Sequence, residues 1–138
     1  MTIFQTQTVS FREELLKAIH NLQTDTLKLA LYTSLVTLNE DTTAYSVTHE
    51  VVGSGYSAGG VVLTGVTINN SNGIVYVNFN NAAWNPASFT SAGGLIYNFS
   101  KANRSIAVIS FGNDKTATNT FTVQMPTNTY TSALLRFN

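Results

Sequence analysis

The sequence predicts a mainly β domain, an antiparallel β-sandwich or jelly-roll-like fold with one N-terminal α-helix. Three observations lead there. Short apolar or alternating runs recur with turn signals between them, roughly every 8–12 residues, as in sandwiches and small barrels. Only one segment carries helical periodicity. The chain has just two prolines, Pro86 and Pro126, and both fall at expected strand ends. At 138 residues, one domain able to bury a substantial core is the expectation.

Residues 1–9 precede any strong element and read as an N-terminal arm. Residues 10–138 read as the single β domain. Ser10 and Glu13 have capping-box spacing, with Ser10 at N-cap and Glu13 at N3. Phe11, Leu15, Leu16, Ile19 and Leu22 then share one helical face, which predicts a helix over about 11–22. His20 lies on that helix beside the apolar face. The run from Thr26 to Thr33 alternates Leu27, Leu29 and Leu31 against Lys28, Ala30 and Tyr32, a strand with one aliphatic face.

Val61–Ile68 and Ile74–Phe79 are predicted strands joined at Asn72-Gly73, a strong hairpin signal. Leu95–Phe99 and Ser105–Phe111 form an expected pair around KANR. Gly112, Asn113 and Asp114 read as a turn. Thr120–Met125 and Ala133–Phe137 close the chain. Two stretches read as irregular: Val52–Gly60, with four glycines, and Asn80–Gly94, which holds the only Trp. Long loops in compact domains are often functional.

Charged residues are only 10% of the chain, against about 25% in a typical domain. Twenty Thr and fifteen Asn supply neutral polarity instead. The seven basic and seven acidic residues are scattered, so no basic stripe exists for phosphates, which disfavours a nucleic-acid partner. No long apolar run or polybasic segment predicts a membrane partner, and the first residues lack the pattern of a secretion signal. The absence of cysteine excludes disulfides and fits synthesis in a reducing cytoplasm. A surface so poor in charge has little colloidal repulsion and favours association.

Chemistry-bearing motifs are weak. GSGYSAGG lacks the Lys-Ser/Thr of a P-loop, and G-x-G-x-x-G spacing fails because position 58 is Ala58. The loop is expected to supply positive-φ turns and close backbone approaches. His49-Glu50 is the most reactive-looking pair, but a metal needs more ligands and a hydrolase needs a nucleophile in context. A surface or interface hydrogen bond is the expected role of His49. Glu40 and Asp41 are adjacent in a polar turn, and Glu13 and Glu14 suit the first helical turn. The oxygens of Asn39, Glu40, Asp41, Asn113 and Asp114 lack EF-hand spacing for calcium. No catalytic, cofactor-binding or metal-ligating residue is assigned, and an enzyme is not expected.

Aromatics are the remaining resource. Trp84 has three readings: a core plug, a protein-interface anchor, or a platform for a sugar ring. The candidate protein-interface residues are Ile3, Phe4, Val9, Tyr56, Trp84 and Phe89.

Four segments carry a family resemblance: FREELLKAIHNLQTDTLKLALYTS (Phe11–Ser34), TTAYSVTHEVVGSGYSAGG (Thr42–Gly60), the Trp84 region with GGLIYNFSKANRSIAVISFG (Gly93–Gly112), and FTVQMPTNTYTSALLRF (Phe121–Phe137). Together they cover nearly the whole chain, and EVVGSGYSAGG is the most specific part. The chain resembles small virion structural proteins of tailed bacteriophages. The resemblance implies a capsid decoration, or cement, protein that bridges major capsid protein subunits on the outer surface of the virion. It implies self-association, with a homotrimer favoured, no cofactor and no catalytic residue. The arm, with Ile3, Phe4 and Val9 as anchors, is expected to dock on a neighbouring subunit. A tail or fibre-associated subunit recognising a host-surface glycan or another virion protein is the competing expectation.

Overall fold

A computed structural model describes residues 2–138; Met1, the first residue of the expected arm, lies outside the described residues. The chain is mainly β, with antiparallel sheets and one α-helix. The elements in order are β1 (Thr6–Gln7), α1 (Val9–Leu16), β2 (Leu27–Tyr32), β3 (Val61–Val62), β4 (Thr67–Ser71), β5 (Ile74–Asn78), β6 (Ala82–Trp84), β7 (Phe89–Asn98), β8 (Arg104–Ala117), β9 (Phe121–Val123) and β10 (Leu135–Phe137). A single 3-10 turn, Phe99–Lys101, lies between β7 and β8. Five strands form the central sheet, in the order β1-β8-β7-β2-β3. Two smaller sheets, β10-β5-β4 and β6-β9, complete the fold.

The alternation in β2 does what the sequence predicts, and more. Leu27, Leu29 and Leu31 enter the main apolar cluster, where Ile96, Val77, Trp84, Phe121 and Leu135 meet them. The opposite side of the strand is buried as well. Ala30 and Tyr32 join Leu95, Tyr97, Val108, Val36 and Leu38 in a second cluster. Register explains the division: Leu29 lies opposite Ile96 and then Ala107, while Ala30 lies opposite Leu95 and then Val108. Each such leucine contributes about 1.5–3 kcal/mol by leaving water.

The helix is shorter and earlier than the periodicity predicts. It begins at Val9, and its N-cap is Thr8, not Ser10. The Thr8 hydroxyl accepts from the Phe11 amide and is itself 2.9 Å from Ser105 Oγ, while Ser10 Oγ also faces Ser105. A tertiary contact therefore selects the cap over the local capping-box pattern. Ala18 ends the helix in the left-handed region, and the Ile19 amide reaches back to the Glu14 carbonyl. His20 and Leu22, expected on the helix, are buried beyond its end.

The stretch expected to be an irregular loop, Asn80–Gly94, instead holds β6 and half of β7. Gly112–Asp114 is not a turn between strands, for β8 runs through it, with Gly112 at positive φ. Residues expected as a separate arm lie on the domain. Thr6 and Gln7 pair with Val108 and Ala107, and the Phe4 amide donates to the Leu38 carbonyl. Val9 belongs to the helix.

Candidate functional site

The most organised polar feature is built around Glu50, a residue that sequence reasoning treated only as the neighbour of His49. Its side chain is buried and accepts three hydrogen bonds: from Tyr45 Oη at 2.6 Å, from Tyr56 Oη at 2.5 Å and from the Gly59 amide at 2.8 Å. Tyr56 Oη also accepts from the Leu31 amide at 2.9 Å. Tyr97 donates to the Gly59 carbonyl at 2.6 Å and stacks on Tyr45 with ring centroids 4.7 Å apart. The glycine loop is thus clamped onto β2 and β7.

These phenols stay protonated. Burial raises Tyr56 and Tyr45, and the hydrogen bonds they donate to Glu50 raise them further. Tyr97 is pushed up to about 12, by burial first and then by the Glu50 charge. Both oxygens of the carboxylate accept from these donors, Oε1 from Tyr45 and Oε2 from Tyr56 and the Gly59 amide. The arrangement holds a loop against the sheet.

The glycines follow from the same packing, as the loop reading expects. Gly55, Gly59 and Gly60 have positive φ. A Cβ on Gly60 would stand 1.8 Å from the Leu29 carbonyl oxygen, and one on Gly55 would stand 2.0 Å from that of Pro86. His49 is exposed, and its carbonyl accepts from the Thr33 amide at 3.0 Å.

The six sequence-predicted interface residues separate into two groups. Tyr56, Trp84 and Phe89 come together, with centroids 6.0 Å apart for Tyr56–Trp84 and 5.6 Å for Tyr56–Phe89. Phe121 packs on both Trp84 and Phe89. Trp84, 4% exposed, and Phe89, 7% exposed, are core, and Tyr56 is half-buried against them. Of the three readings of Trp84, the structure shows the core plug, with Phe89 buried beside it. Ile3, Phe4 and Val9 do lie at the surface. Ile3 is half-buried against the second cluster, and Phe4 and Val9 are exposed.

A second polar group surrounds His20. Its Nδ1 accepts from the Asn98 side-chain amide at 3.0 Å, which leaves the Nε2 proton to donate to Glu14 at 2.8 Å. The assignment follows from Asn98, whose Nδ2 also donates to Asp25 at 2.8 Å. Arg104 bonds Glu14, and Lys101 bonds Asp25. The group ties the helix end and its following loop to β7 and β8. Among the described residues no three His, Cys, Asp or Glu side chains converge as a metal site would require.

The outer surface is unusually apolar in places. Several large apolar side chains stand in solvent, among them Leu16 at 90% exposure, Val52 at 96% and Phe4 at 61%. From Val51 to Ser100 the chain has no Asp, Glu, Lys, Arg or His. Among the described residues no helix is long and apolar enough to cross a membrane. Comparison with protein-family models, with curated proteins and with solved structures found no match to this chain.

Proposed function

We propose that the chain is a structural protein of a tailed-phage virion, a capsid decoration protein that binds and stabilises the outer surface of the major capsid protein shell. In this reading the central sheet and the two small sheets act as the layers of a β-sandwich. The domain self-associates, with a trimer favoured, and its partner is the capsid subunit. The observation that carries the reading is the surface: large apolar side chains left in solvent on a body with few charges. Such side chains bind by burial against a complementary face, without catalytic groups. The polar clusters support it, because their acceptors are turned inward on the protein's own donors. The glycan-binding alternative drew on Trp84 as a stacking platform, and that ring is in the core.

The expected arm docking is better tested by single side chains than by deletion, because residues 2–9 supply β1 and the helix cap. Phe4→Ser and Leu16→Ser leave those features intact. Antibody labelling of intact particles of the virus that carries the gene decides the location. Label spread over the whole head supports the reading. Label confined to one vertex, or a protein missing from particles, overturns it.

A further inference from the structure

The three-stranded sheet ends in β4, and that edge is unprotected. Natural sheets blunt their edges with lysine, proline, bulges or very short strands. The outer strands of the central sheet, β1 and β3, have two residues each. β4 has five, Thr-Ile-Asn-Asn-Ser, with no charge and no proline. It is paired with β5 in unbroken register from Thr67↔Asn78 to Ser71↔Ile74.

The turn tells which backbone groups face outward. Asn72 and Gly73 both have positive φ, 53° and 79°, the pattern of a two-residue hairpin turn. The flanking pair Ser71–Ile74 is then hydrogen-bonded, and so are Asn69–Tyr76 and Thr67–Asn78. Between them, Ile68 and Asn70 direct their N–H and C=O groups away from β5. Among the described residues those groups have no backbone partner.

Two residues with free groups, separated by one, are self-complementary. If two β4 strands run antiparallel with Asn69 opposite Asn69, each Ile68 meets the Asn70 of the other copy. Each of those two pairs exchanges both of its bonds, so four backbone hydrogen bonds close around a two-fold axis. The side chains permit it. Asn69 and Asn70 are exposed and neutral, and no charge lies anywhere from Val51 to Ser100 to repel a second copy. Ile68, 46% exposed, and Val75, 43% exposed, share one face of the hairpin beside the apolar groove at the end of α1, lined also by Leu15, Leu22 and Phe137. Pairing brings the two Ile68 side chains to diagonal positions and covers part of that face.

We infer that β4 is a self-association edge, and that two copies of this chain join their three-stranded sheets into one continuous six-stranded sheet. This goes beyond the capsid reading and stands apart from it, as a two-fold contact distinct from any trimeric one. The strand is short, so the pair belongs to the small, reversible class of interfaces.

The chain has no cysteine, which makes the register directly testable. Residues facing each other in a non-hydrogen-bonded pair have Cα atoms about 4.5 Å apart, within disulfide reach. Asn69→Cys in the full chain, under mild oxidation, is expected to give a covalent dimer. Thr67→Cys places its two sulfurs about 13 Å apart along the strands and is expected to cross-link far more slowly. Sedimentation across a concentration series should show a reversible dimer for the unmodified protein. Asn69→Lys sets two like charges face to face and should raise the dimer Kd by about tenfold or more, with an unchanged melting temperature. Equal cross-linking at positions 67 and 69, no dimer at any concentration, or a dimer indifferent to Asn69→Lys would each overturn the inference. None of these outcomes depends on whether the protein is found on a capsid.

Discussion

The Tyr56 hydroxyl stands between strand and loop, accepting from the Leu31 amide at 2.9 Å and donating to the Glu50 carboxylate at 2.5 Å. Removing Glu50 strands the donors of Tyr45, Tyr56 and Gly59 in a buried site. Glu50→Ala is therefore expected to cost about 3–5 kcal/mol, and Tyr56→Phe about 1–3 kcal/mol through the unpaired Leu31 amide. Urea denaturation measures both. Val52→Ser, fully in solvent, serves as the reference and should stay within about 0.5 kcal/mol of the parent.

Gly60 and Gly73 have nearly the same φ, +80° and +79°, but different surroundings. An added Cβ at Gly73 meets nothing within 4 Å, whereas at Gly60 it collides with Leu29. Gly73→Ala should cost about 1 kcal/mol for the left-handed backbone alone. Gly60→Ala should cost about 3 kcal/mol or more, or abolish soluble expression, because strand and loop must separate. Thermal melting of the pair separates conformational preference from collision.

Trp84 is the only tryptophan, and it is buried among Tyr56, Phe89 and Phe121. Its fluorescence should be blue-shifted and shielded from iodide, and should move to the red as the core opens. Trp84→Ala is expected to cost about 3–5 kcal/mol. Trp84→Phe should cost clearly less, because among the described residues the indole N–H finds no hydrogen-bond partner to lose.

Asp25 makes stability fall in acid. Burial alone would raise its pKa. The Asn21 amide, the Asn98 side chain and the Lys101 ammonium all donate to it, and together they lower it to about 2. An unfolded aspartate titrates at about 3.9. The stabilisation is thus complete above pH about 4 and is lost as pH falls toward the folded value, where the unfolded chain has taken up a proton first. Urea midpoints measured through that range should decline, and Asp25→Asn should flatten the decline.

Much of the fold was legible because periodicity and turn chemistry agreed. The Leu27–Leu29–Leu31 alternation located β2, and Asn72-Gly73 located the β4–β5 hairpin. Legibility failed where tertiary contact overrode local preference. Thr-Ser-Ala-Gly-Gly in β7 has poor strand propensity, yet Gly93 and Gly94 sit in the sheet because Ile109 and Ala30 carbonyls pass too close for a side chain. Gly112-Asn113-Asp114 carries every sign of a turn, and the ladder of Thr90 with Thr116 and Ser91 with Lys115 continues past it. Trp84 was read as a loop aromatic because β6 has only three residues. Glu50 was missed because its role depends on Tyr45, Tyr56 and Gly59, which no spacing rule joins to it. The one available sign was that it is the last charge before a long neutral stretch.

Thr6 lies beside Val108, and Leu135 beside Val77. A ribosome releases the N-terminus first, so β1 and the Thr8 cap emerge long before Ser105 and Val108 exist to receive them. The central sheet cannot close until β8 has cleared the exit tunnel, and β5 gains its outer neighbour only once Leu135–Phe137 have been made. Until then the Leu27–Tyr32 strand waits with both apolar faces open. The dangerous interval for this chain is therefore its own synthesis, and slow elongation through residues 33–104 would prolong the time in which nascent copies can stick to one another.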